Sequence, residues 1–106
     1  MTDVSLLEIS VGTDPSGTVV ALSGESDLTT TGQLSEVFAA QLTGGSRHLI
    51  VDLSDLRFAD SASIRILLVA HRALRAKGGG LELVNPHPNV ARTLTLLGLD
   101  KMLRVR

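Results

Sequence analysis

The sequence predicts an α/β protein in which a β-sheet carries helices packed on it. Short aliphatic runs alternate with stretches whose apolar residues recur at helical spacing. Gly, Pro and Asn clusters separate most of these segments, and the first two runs flank one tight turn. The resulting order is β-β-α-β-α-β-α with a short closing strand. A chain of 106 residues forms one domain, residues 1–106, long enough to withdraw roughly two-thirds of its unfolded surface from water.

Val4 to Val11 is the first strand, and Asp14-Pro15-Ser16-Gly17 turns the chain into a second, Thr18 to Ser23, as a hairpin. Thr30 to Leu42 is a helix, because Leu34, Val37, Phe38 and Leu42 fall on one side. Thr30 and Gln33 have the spacing of a capping box, and Gly44-Gly45 stops the helix. Leu49 to Leu53 is a short apolar strand of the kind covered on both faces. The helix after Asp60 runs to Lys77, before Gly78-Gly79-Gly80, and Leu81 to Val84 is the next strand. Asn85-Pro86-His87-Pro88 opens a last helix with Val90, Ala91, Leu94 and Leu97 on one side and Gly98 at its end. Leu103 to Val105 closes the sheet.

Composition excludes several functions. Apolar residues at 43% and charged residues at 20% belong to an ordinary globular chain. A net charge of -1, with acids and bases interspersed, gives no field to gather nucleic acid or anionic lipid, and two Phe offer no stacking platform. The N-terminal residues lack a signal pattern and no apolar run reaches membrane-spanning length, so a cytoplasmic protein without membrane insertion is expected.

Enzyme chemistry finds no support either. Cys is absent, and His48, His71 and His87 match no zinc spacing, so no metal site or cofactor is expected. The triple glycine precedes a strand instead of opening a helix, unlike a nucleotide loop, and no G-x-S-x-G elbow is present. Asp52, Asp55 and Asp60 read as turn formers and caps.

The segment "FADSASIRILL", Phe58 to Leu68, is the exception. On a helical wheel Ile66, Leu67, Ala70, Ala73 and Leu74 gather on the side expected to meet the sheet, with Arg65, Arg72 and Arg75 opposite. Ile64 and Leu68 fall near the arginines and near Ser61, where they would be partly exposed. Either neighbouring loops cover them, or Ser61, Ile64, Leu68 and Arg72 form a docking stripe. Asp60 or Ser61 also serves as an N-cap, and a phosphate in that first turn would suit the helix dipole while repelling a docked partner.

These segments resemble the STAS family, and within it the single-domain anti-anti-sigma factors, or anti-sigma factor antagonists. "LSGESDL", Leu22 to Leu28, is similar to the family's L-x-G-x-[LI]-D segment. "LIVDLSDLRFADSASIRILL" resembles V-D-[LF]-S-x-[VL]-x-F-[ILM]-D-S-[ST]-G-[LI], and "PNVARTLTLLGLDKMLRV" looks like the last helix and strand. The resemblance implies a mixed sheet of four to five strands flanked by three or more α-helices. It implies a protein that binds an anti-sigma factor of the serine kinase type and so releases a sigma factor. The kinase would inactivate it by phosphorylation and a phosphatase would restore it.

In this chain Ala62 stands where the family carries its phosphoacceptor, Ser63 where Gly is usual, and Ser26 where an aliphatic residue is usual. Ser61 and then Ser63 are the remaining phosphorylation candidates, and a constitutively active antagonist is the other reading. Partner contact is expected through Asp27 and through Asp60, Ser61, Ala62, Ser63, Ile64, Arg65, Leu68 and Arg72. The alternative within the family is a STAS subunit of a lipid-trafficking ATPase complex. A nucleotide-binding domain is disfavoured by the missing glycine-rich loop. A monomer or a weak dimer formed through the sheet edge is expected.

Overall fold

The computed structural model describes residues 6–106, so Val4 and Ser5 of the expected first strand lie outside the described residues. The chain forms β1 (Leu7–Asp14), β2 (Gly17–Ser26), α1 (Thr31–Thr43), β3 (His48–Ala59), α2 (Ser61–Ala76), β4 (Gly80–Val84), α3 (Pro88–Leu96) and β5 (Arg104–Val105). The sheet order is β1-β2-β3-β4-β5. β1 pairs antiparallel with β2, and every later pair is parallel. The antiparallel pair needs only the Pro15-Ser16 turn, where Asp14 Oδ1 accepts from Ser16 N at 2.7 Å and Gly17 N at 3.1 Å. Each parallel pair needs a crossover, which α1, α2 and α3 supply in turn. This is the mixed five-stranded sheet with three helices that the sequence leads one to expect.

One core joins Val20, Leu22, Leu49, Val51, Leu81 and Leu83 of the strands to Leu34, Phe38, Leu67, Leu74, Val90 and Leu94 of the helices. Strand alternation makes this possible, since successive side chains leave opposite faces of the sheet. α3 starts as its sequence suggests, with Pro88 at its first turn and His87 Nδ1 accepting from Asn89 N at 3.3 Å. Its end differs: Leu97 is the C-cap and 45% exposed, and the buried Leu99 and Leu103 complete the core instead. Among the described residues no helix is long and apolar enough to cross a membrane.

β3 is more than twice the length that its apolar run suggests. Its inward residues after Leu53 are Leu56 and Ala59, spaced three apart instead of two. The cause lies in the ladder with β2. Ala21 and Ser23 pair with Asp52 and Asp55, and Gly24 and Glu25 pair with Leu56 and Phe58, so each slip adds one residue to β3. Gly24 makes the second slip feasible: its φ is 99°, and a Cβ there would stand 2.0 Å from the Leu6 carbonyl oxygen.

α2 is turned differently from the wheel. Its buried residues are Ser63, Ile64, Leu67, Ala70 and Leu74, while Ile66 and Ala73 are only half-buried. The wheel allowed for one covering surface, whereas α2 packs against α1, β3 and β4 together. Ile64 is therefore fully covered and Leu68 half-covered, which corrects the expectation that both stand near solvent. His71 faces β4, and its Nδ1 accepts from Leu81 N at 3.1 Å.

Burial of the imidazole, then the neighbouring Arg75 charge, hold the His71 pKa below its ordinary 6.5. The folded chain thus binds fewer protons at His71 than the unfolded one. This contribution to stability is complete above pH 6.5 and is lost as pH falls below it. Urea unfolding from about pH 7.5 to about pH 5.5 should show a decline in stability that His71→Gln makes shallower. An unchanged slope in the variant would contradict this role.

Candidate functional site

The C-terminal ends of β2 and β3 and the starts of α1 and α2 meet at one end of the sheet, where the crossover topology places them. Ser26, the last residue of β2, pairs with Ala59 and is 0% exposed. Its carbonyl accepts from Asp60 N at 3.1 Å. Its hydroxyl donates to Ser63 Oγ at 2.7 Å and lies 3.2 Å from Thr30 Oγ1. Ser63 is 1% exposed and Thr30 7%. Burying three hydroxyls is tolerable because each meets another polar atom. Two of the three departures from the family pattern, Ser26 and Ser63, are thus partners, 37 residues apart in sequence. No local periodicity could have linked them.

Thr30 extends this network into the loop. Its Oγ1 accepts from Asp27 N at 2.9 Å and donates to Asp27 O at 3.0 Å. Thr30 occupies the N-cap of α1 but makes no side-chain cap bond, and Gln33 Nε2 reaches Leu7 O at 3.0 Å instead. The expected capping box is therefore absent, because the Asp27 backbone claims the Thr30 hydroxyl and the Leu7 carbonyl claims Gln33. The Asp27 carboxylate accepts from the Thr29 hydroxyl and, at 2.8 Å, from Thr29 N, which holds its pKa below 3.8. Asp27 shapes this turn and stays partly open to solvent.

At the start of α2, Asp60 is the N-cap and accepts from Ser63 N at 2.9 Å, a bond typically worth about 1 kcal/mol. Ser61 is exposed, Ala62 is half-buried, and the side chains of Arg65 and Arg72 stand in solvent. Ser63, expected as the second phosphorylation candidate, points inward, and its hydroxyl is enclosed by Ser26. Ile64, at 0% exposure, likewise leaves the expected docking stripe. Ser61 and Arg72 reach the surface, and Leu68 does so in part.

Two residues of this end escape the sequence reading. Leu28 is 73% exposed and Phe58 47% exposed. They lie two residues after Ser26 and one before Ala59, beside the Ser26–Ala59 pair. Phe58 carries a signal in retrospect: a polar–aromatic–small run just before a helix cap, on a strand whose length the bulges conceal.

The hydroxyl pair is testable by restoring the residues usual in the family. Ser26→Val crowds Ser63 and orphans its hydroxyl, at a cost of about 1–3 kcal/mol. Adding Ser63→Gly should recover part of that loss, although glycine itself costs about 0.5–1 kcal/mol in a helix. Urea unfolding of both single variants and the double variant should give non-additive changes, whereas strict additivity would show that the two side chains do not act together.

The comparisons agree with this architecture. The family model described as Mlab, STAS domain matches residues 9–104. The anti-sigma F factor antagonist of Paenibacillus polymyxa is 28% identical over 88 residues, 82% of this chain and 75% of the relative. A crystal structure of an anti-sigma factor antagonist from Mycobacterium paratuberculosis superposes with a TM-score of 0.86 at 29% identity, covering 93% of this chain and 84% of the other. The unphosphorylated form of the antagonist SpoIIAA gives 0.79 at 25% identity, covering 93% and 88%. With its fold, its paired junction and a matching model over most of its length, the chain belongs to the STAS family.

Proposed function

We propose that this protein is an anti-sigma factor antagonist, binding an anti-sigma factor and so releasing a sigma factor. The antagonists among its relatives and structural neighbours support this reading. The observation that carries it is the start of α2, where Ser61 is exposed above a hydroxyl network that is internally satisfied, with Leu28 exposed in the loop that this network ties to the helix. Large apolar side chains exposed beside a polar rim suit a partner better than they suit water. Asp27, Asp60, Ala62 and Arg65 border this surface, and Leu68 and Arg72 extend it along α2.

The partner is an anti-sigma factor of the serine kinase type, met in the cytoplasm. Ala62 cannot accept phosphate and Ser63 is enclosed, which leaves Ser61 as the accessible hydroxyl of this turn. A phosphate there would place about two negative charges on the docking surface. If the kinase uses Ser61, a phosphatase restores the antagonist; if it does not, the antagonist is always active.

Isothermal titration with the cognate anti-sigma factor should show affinity reduced about tenfold or more by Leu28→Asp and by Ser61→Asp, or by about 1.4 kcal/mol each. Unchanged affinity in both variants would remove this surface from the interface. Recovery of an ATPase transport subunit in place of an anti-sigma factor in a pull-down would instead favour the transport-complex reading.

A further inference from the structure

α1 and α2 lie side by side and point the same way, since each leads from the end of one parallel strand back to the start of the next. Between them runs a groove of about 740 Å³, within the usual range of ligand sites of about 300–1,000 Å³. Its two ends differ in chemistry. Thr31 and Ser35 of α1 and Ser61 and Arg65 of α2 supply hydroxyls and a cation at the end where both helices begin. Farther along, Phe38 and Ala70 lie deep, flanked by Leu42, Ile66 and Val69. Val69 is 56% exposed and adds apolar surface to the wall of this groove.

Charge selects the occupant. No carboxylate lines the groove, and among the described residues Arg65 has no ion pair. Asp60, the nearest acid in sequence, is turned to its capping bond with Ser63 N. Both helix dipoles add positive potential at the same end as the guanidinium. From Ser61 to Ala70 the trough runs about 13 Å at about 1.5 Å per residue, the reach of a medium-length alkyl chain. A single cation at one end of an apolar trough matches a molecule with one anionic head and one aliphatic tail.

We infer that this groove binds a single-chain amphiphile of the alkyl carboxylate class, head at Arg65 and tail over Phe38, Ile66 and Val69. The inference does not rest on the proposed function, although the groove shares Ser61 and Arg65 with the surface at the start of α2. The probe is dodecanoate below its micelle concentration, titrated into the full chain and followed by amide chemical shifts. Saturable shifts confined to α1 and α2 are expected. Dodecanol, with the same tail and no charge, should bind at least about tenfold more weakly, as should dodecanoate to Arg65→Ala.

Val69→Asp and Ala39→Trp change solvent-facing helix positions, so circular dichroism should remain native while dodecanoate binding is lost. Absence of saturable binding would overturn the inference. So would dodecanoate binding that both groove variants leave intact, which would be detergent-like association elsewhere. Concentration-dependent self-association abolished by Val69→Asp would give the groove to a second copy of the chain and overturn it as well.

Discussion

The architecture at the functional end of this molecule depends on how one buried residue, Ser26, is satisfied. Its backbone carbonyl holds the amide that begins the turn into α2, and its side chain holds the first turn of that helix. A buried hydroxyl without a partner is costly, so Ser26 and Ser63 must be placed together, with Thr30, held by the Asp27 backbone, packed against them. That requirement fixes the β2–α1 loop relative to α2. The surface residues Leu28 and Ser61 are carried on those segments, and their relative positions follow from the network beneath them.

The same network explains why this turn carries its serines as it does. The pattern that this chain resembles has glycine and an aliphatic residue at these two positions. Here a smaller residue at the end of β2 leaves room for a hydroxyl on α2, and the space is filled by a hydrogen bond. Ser63 is thereby held inside by Ser26, while Ser61 faces solvent. The groove toward α1 begins at that serine and runs on past Arg65 and Val69.

The three helices were legible because their apolar residues recur at a clear period and their ends carry Asp60, Pro88 and glycine signals. The first half of β3 was legible as a continuous aliphatic run. Its second half was not, since two added residues shift the alternation and leave Leu56 and Ala59 looking like isolated apolar positions in a polar loop. The facing of α2 was misread at Ile64 and Ile66 because a helix gripped by a sheet and a neighbouring helix buries a wider arc than a wheel drawn for one surface. At the site, Asp27, Asp60 and Ser61 stood in motifs. The Ser26–Ser63 pair and the exposure of Leu28 are products of tertiary proximity, which no local pattern encodes.

Native-state amide hydrogen exchange tests the central claim most directly. If the hydroxyl network locks the loop to the helix start, the amides of Asp27, Asp60 and Ser63 exchange only with opening energies near that of global unfolding. In Ser63→Ala the Asp27 and Asp60 amides should then become labile, while those of β4 change only as much as global stability does. Rapid exchange of Asp27 and Asp60 in the unaltered protein, with β4 protected, would show that the junction moves freely and that Ser26 does not hold it.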